Sequence, residues 1–275
     1  MPHQNNPYRL LTIAGSDCSG GAGVQADLKT FQMLGMYGMS VITALTAQNT
    51  QGVRSVLSVD PSFIQDQLAA VFEDIGVDVV KIGMLHSSAV IETVATSLRK
   101  YQAKKIVLDP VMIAKGGSRL LESDAISALR DLLLPISSLV TPNIPEAEAL
   151  SGEKIRSSED YPLAATKLLK SCPRVLVKGG HDEGPMALDL FMTSEGDIRW
   201  FELPRIDTLN THGTGCTFSS AIACQVAQGK EWSQAIWLAK QYLQGAIVGG
   251  AHWKLGGGHG PLNHGCDSRE ESSRE

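Results

Sequence analysis

Short apolar runs alternate with stretches of helical spacing along nearly the whole chain, and polar or glycine-rich breaks mark each exchange. Residues 10–14 read as a buried strand, 15–23 as a flexible loop, and Val24, Leu28, Phe31 and Leu34 recur at the helical period. Residues 40–47 form the next apolar run, with residues 48–52 as its polar exit, and 53–59 alternate like a strand. Asp60-Pro61 then opens a helix carrying Phe63, Ile64, Leu68 and Phe72 on its apolar side. The alternation becomes regular from there. Strands are predicted at 77–82, 105–108, 139–141 and 175–178, and helices at 87–101, 122–134, from Ala147 and at 163–169. Residues 188–192 and 198–203 suggest a hairpin, and two helices follow from Gly215 and Trp232. This order predicts an α/β fold: a mostly parallel central sheet with helices on both faces. No repeat or low-complexity linker interrupts it, so residues 1–264 are expected to form a single domain. The charged, serine-rich stretch 265–275 is expected to be a disordered tail.

Composition narrows the classes. A chain of 275 residues buries roughly three-quarters of its unfolded surface and needs no staple. The five cysteines are scattered without a C-x-x-C pair, which suits a reducing compartment. Net charge is −5 and no basic stripe is interleaved with aromatics, so nucleic acid is not an expected partner. No apolar run approaches the roughly 20 residues of a membrane span, and the polar start lacks a signal-peptide pattern. A cytoplasmic location is expected.

Candidate chemistry gathers where ligands bind in open α/β sheets, just beyond the strand ends. The exits carry Gly15 to Gly23, Gln48-Asn49, Gly83-Met84, Asp109 to Met112, Asn143 with Glu146, Lys178-Gly179-Gly180, and Thr211 to Cys216. The last of these, Thr211-His212-Gly213-Thr214-Gly215-Cys216, turns directly into an apolar-periodic helix. Unpaired N–H groups and the helix dipole there favour an anion, and a thiol at a helix start is eased toward its ionised form. Taken alone it is equally a tight strand-to-helix turn with a buried structural cysteine. Neither G-x-x-x-x-G-K-[ST] nor G-x-G-x-x-G occurs, which excludes a P-loop and weakens a dinucleotide reading.

What remains fits phosphoryl transfer. Gly213, Thr214, Gly215 and Cys216 would supply donors to the moving group, and Cys216 the base. Asp109 and Glu146 would hold Mg²⁺ through water or phosphate, with Asn143 beside them, and Lys178 would meet a nucleotide phosphate. Simpler readings stand beside these. Asp109 caps a turn, Asn143 is an N-cap, and Glu146 suits a first helical turn for dipole reasons alone. His212 is either a ligand contact or a turn residue bonded to backbone, and no histidines show metal-ligand spacing.

At these residues the chain resembles the ribokinase-like superfamily, and within it the hydroxymethylpyrimidine/phosphomethylpyrimidine kinases of thiamine biosynthesis. The resemblance runs from Leu11 to about His264. It rests on the 14–23 loop continuing into Gln25-Ala26-Asp27-Leu28-Lys29-Thr30, on residues 41–49, and on Lys81-Ile82-Gly83-Met84. Asp109-Pro110-Val111-Met112, residues 141–146, Lys178-Gly179-Gly180-His181 and residues 211–217 complete it. Most ribokinase-like enzymes carry aspartate where this chain has Cys216; cysteine marks the pyrimidine branch. The resemblance implies a kinase without a large lid domain. It would use MgATP to phosphorylate 4-amino-5-hydroxymethyl-2-methylpyrimidine and then its monophosphate. Gln48 would bond the pyrimidine, with Met84 and the Val111 backbone lining the pocket and Gly15 and Asp27 bordering it. Lys178, Asn143, Glu146 and Thr211 would serve the nucleotide. A homodimer is implied, pyridoxal kinase activity is the nearest alternative, and a non-catalytic small-molecule binding protein on the same fold is the further one.

Overall fold

The alternating pattern folds into one nine-stranded sheet, ordered β3-β2-β1-β4-β5-β6-β7-β8-β9. The computed structural model describes residues 6–113, 117, 120–122, 124–180 and 184–266. His181 and residues 267–275 of the expected tail lie outside them.

The strands are β1 (Arg9–Asp17), β2 (Tyr37–Asn49), β3 (Gly52–Ser58), β4 (Val79–Ile82), β5 (Ile106–Leu108), β6 (Leu139–Val140), β7 (Arg174–Lys178), β8 (Met186–Thr193) and β9 (Ile198–Pro204). From β2 to β7 each neighbouring pair is parallel; β3 pairs antiparallel with β2, as β8 does with β7 and β9 with β8. The carboxyl ends of the six parallel strands therefore share one edge of the sheet.

Alternation of side chains divides the core into two layers. Leu11, Ile13, Val80, Ile82, Leu108, Val140 and Val177 face α2 (Pro61–Ala70), α3 (Ser88–Lys100), α4 (Ala125–Ala128), α5 (Ile144–Ser151) and α6 (Tyr161–Leu168). Leu10, Val79, Val107, Leu139 and Leu176 face α1 (Gly23–Met33), α7 (Thr214–Ala227) and α8 (Trp232–Gly250). Both faces of the central strands are covered, as expected.

Four boundaries depart from the periodicity, and each has a local cause. β1 continues past Ala14 through Gly15 and Ser16 to Asp17, because Thr46 accepts the role of partner across a register shift between Ala14 and Ser16. Gln48 and Asn49 belong to β2 rather than to a loop, since β3 pairs with them. Helix α5 starts at Ile144 instead of Ala147: Asn143 and Glu146 form a reciprocal capping box, and Pro145 fits a first turn. The predicted 122–134 helix is α-helical only over Ala125–Ala128 and widens to a π turn over Leu129–Leu133.

Candidate active site

A cavity of about 660 Å³ runs along the shared carboxyl edge, from β2 to β8, with the start of α7 over its middle. At the β2 end it is lined by Gly15, Gln48, Met84 and Val111. The side-chain amide of Gln48 makes no hydrogen bond among the described residues, and a register shift between Ala47 and Gln48 re-aims that position against β3. The Val111 N–H is already committed to the Asp109 carbonyl at 2.8 Å, so only other main-chain atoms of Val111 remain for a ligand.

The middle of the cavity is built around charge. Lys178 Nζ lies 2.7 Å from Asp109 Oδ1, and Ser219 donates to the other carboxylate oxygen at 3.3 Å. Glu146 Oε2 accepts from the Asn143 N–H and Asn143 Oδ1 from the Glu146 N–H, both at 2.9 Å. The N-cap reading of Asn143 is thus realised in the same residue that lines the cavity. Burial pushes the Glu146 carboxyl up to about 7, against the pull of Lys178 and with Asp109 adding to the rise. Lys178 acts on both buried carboxylates and Lys81, itself paired with Asp27, acts on Asp109 as well, so three carboxylates meet two lysines, a set of hard oxygens short of positive charge.

Above them sits the glycine turn. Gly213 has φ +86°, and a Cβ there would come within 1.9 Å of the Gly21 carbonyl, so the 17–22 loop and the anion loop meet main chain to main chain. Asp17 fastens this contact. It accepts from the N–H groups of Ser19, Gly21 and Ala22 and pairs with His212 Nε2 at 2.9 Å. Burial alone would raise its carboxyl, but these donors, His212 foremost, hold it at about 2. His212 is therefore a structural clasp. The N–H groups of Gly215 and Cys216 at the head of α7 have no acceptor among the described residues and open on the cavity. Thr211 and Thr214 line the same wall.

Two expectations are corrected. Asp27 does not border the cavity: it is fully buried beneath it, held by Lys81 at 2.9 Å, Thr12 at 2.6 Å and Ser220 at 2.7 Å. The Cys216 thiol is not eased toward ionisation in the free protein. Burial pushes it up to about 11, and this outweighs the Lys81 charge and the helix start.

One pair was missed. Asp189 of β8 and Lys240 of α8 meet at 2.5 Å inside the far end of the cavity, and Asp189 also accepts from the Gly179 N–H at 3.0 Å. An aspartate inside an apolar strand and a lysine on the buried side of an apolar helix were the available signals.

Comparison with known proteins assigns the family. A sequence profile of the phosphomethylpyrimidine kinase family matches residues 17–263. The chain belongs to that family. It is 52% identical, over 93% of its length, to the thiamine biosynthesis bifunctional protein ThiED of Geobacter sulfurreducens, and spans about half of that longer relative (52%). It is 48% identical to the hydroxymethylpyrimidine/phosphomethylpyrimidine kinase of Salmonella typhimurium, covering 92% of this chain and 96% of the other. The ADP complex of Bacillus subtilis pyridoxal kinase superposes with a TM-score of 0.87 at 38% identity, over 95% of this chain and 98% of that one. The ribokinase-like sheet and kinase membership agree with the expectation from sequence.

Proposed function

We propose that this kinase transfers the γ-phosphoryl group of MgATP to the hydroxymethyl group of 4-amino-5-hydroxymethyl-2-methylpyrimidine, and then phosphorylates the monophosphate to the diphosphate. The observation that carries the reading is the order of groups along one cavity: an unbonded amide at Gln48, free N–H groups at Gly215 and Cys216, and paired charges at Asp109, Glu146 and Lys178.

The acceptor lies at the Gln48 end, bounded by Gly15, Met84 and Val111, and the nucleotide lies toward Lys178, Asn143 and Thr211. In the first transfer the hydroxymethyl oxygen bonds to the γ-phosphorus as the bond to ADP breaks. The free N–H groups and Lys178 receive the charge spread over the moving phosphoryl group. Cys216 takes the alcohol proton as thiolate, a form that Lys81 favours and burial opposes. The transition state is loose, so the proton leaves late and a weak base suffices. Asp109 and Glu146 would hold Mg²⁺, whose charge neutralises the phosphate oxygens; the surplus of buried carboxylate described above suits it. The chain is expected to act in the cytoplasm as a homodimer. Supporting self-association, Leu45 and Leu57 oppose each other across β2 and β3 and are 45% and 66% exposed.

Pyridoxal phosphorylation is the second reading, favoured by the close superposition on pyridoxal kinase but at lower identity than the pyrimidine kinases. Mg²⁺-dependent ATP turnover with the pyrimidine, its monophosphate and pyridoxal in parallel decides between them. Turnover on the first two is expected, and Gln48→Leu should raise the pyrimidine KM on the order of tenfold as one buried polar contact is lost. Turnover on pyridoxal alone would overturn the substrate.

A further inference from the structure

The glycine-rich stretch after α8 has no part in the chemistry above, yet it touches both ends of the reaction. On one side it grips the tip of the β2–β3 hairpin. The Gly258 N–H donates to Thr50 Oγ1 at 3.2 Å and the His259 N–H to the Thr50 carbonyl at 2.9 Å. A Cβ at Gly258 would fall 2.1 Å from that carbonyl oxygen, and one at Gly256 only 2.2 Å from Thr50 Oγ1. On the other side, the His212 N–H donates to the Gly260 carbonyl at 3.0 Å, and His212 bridges to Pro261. Asn210 braces this end through the carbonyls of Gly250 and Trp253. A space of about 480 Å³ lies between hairpin, strap, Ser19 and His212. Side-chain packing therefore does not fix the separation; the main-chain ties do.

We propose that residues 256–261 are a positioning strap that holds the β2–β3 hairpin, and with it Gln48, in register with the anion loop. Thr50 is two residues from Gln48, and His212 adjoins Gly213. A shift of the strap moves the acceptor's anchor relative to the phosphoryl site, and near-attack geometry is sensitive to such shifts. The inference rests on the reading of Gln48 as the pyrimidine's partner.

Gly258→Ala is the direct test, and Gly257→Ala its control, because a Cβ at Gly257 would meet only the flexible Gln51 side chain at 3.1 Å. We expect Gly258→Ala to raise the pyrimidine KM about tenfold and to lower kcat, with the ATP KM held within about twofold. Gly257→Ala should match the parent. In a Gln48→Ala background Gly258→Ala should add little further to the pyrimidine KM, since both changes act through one contact. Equal rises in both KM values, full additivity with Gln48→Ala, or no change would each overturn the proposal. Should Gly258→Ala not fold, Thr50→Val removes one tie and is expected to shift the pyrimidine KM about threefold in the same direction. If Gln48→Ala alone leaves KM unchanged, the pocket reading fails. The strap is then judged by whether Gly258→Ala separates the acceptor's KM from that of ATP.

Discussion

At Cys216 burial and charge oppose each other, and the balance bears on the two transfers differently. The alcohol of the first acceptor carries a proton that must leave, whereas a phosphate monoester with a second pKa of about 6 is already ionised near neutral pH. Cys216→Ala should therefore cut the first transfer by about 10²-fold or more, the range for a lost general base, and the second much less. Rates measured separately on pyrimidine and monophosphate check this; equal losses would assign Cys216 to the anion hole instead. The residue also shows what sequence alone could convey. Its place at a helix start was legible from the glycine turn before it. Its raised thiol was not, because that depends on the packing around it and on the charges of Lys81, Asp27 and Asp109, which distant parts of the chain bring together. Asp27 failed for a similar reason. Its spacing from Val24 and Phe31 already placed it on the inward face of α1. Only the fold supplies Lys81, 54 residues away, which makes it a core ion pair and not a pocket wall.

Among the elements, the loop between β1 and α1 depends most on one side chain. Asp17 gathers three main-chain donors and His212, and its carboxyl is held near 2 against an ordinary 3.8. A depressed carboxylate contributes stability that is full above its unfolded value and disappears as pH falls through the folded one. Asp17→Asn should therefore cost about 2 kcal/mol at pH 7 in urea unfolding, and the two proteins should converge between pH 4 and pH 2. A gap that persists at pH 2 would place the stabilisation elsewhere. The elements themselves were largely visible as alternating periods. Misplaced boundaries arose where a neighbouring strand extends an element, as β3 does for Gln48, or where a local cap starts one early, as Asn143 and Glu146 do for α5. Asp189 and Lys240 escaped because each reads as an isolated charge until β8 and α8 are packed together.

Across the whole molecule, the helical cover of the sheet runs out at its two edges: Ile198 and Trp200 of β9 are exposed, and near β3 Leu45 and Leu57 lie exposed while Val53 and Val56 pack inward toward Met84. Two leucines opposed on an edge hairpin suit the proposed homodimer, in which a second copy would cover them. Leu57→Lys should shift the protein from dimer to monomer in light scattering at micromolar concentration, and an unchanged mass would remove this face from the interface. Among the described residues, no helix is long and apolar enough to cross a membrane.

The strap has a further consequence during synthesis. All nine strands are complete once residue 204 has emerged, and the α1–α7 face of the sheet gains its last helix with α8. The tie from Gly258 to Thr50 spans 208 residues and forms only afterwards. A nascent chain thus acquires a complete sheet well before its acceptor end is locked, and the strap closes only after α8 has emerged. Chains released short of residue 256 should hold the pyrimidine poorly although their sheet, with Lys178 at the end of β7, is complete.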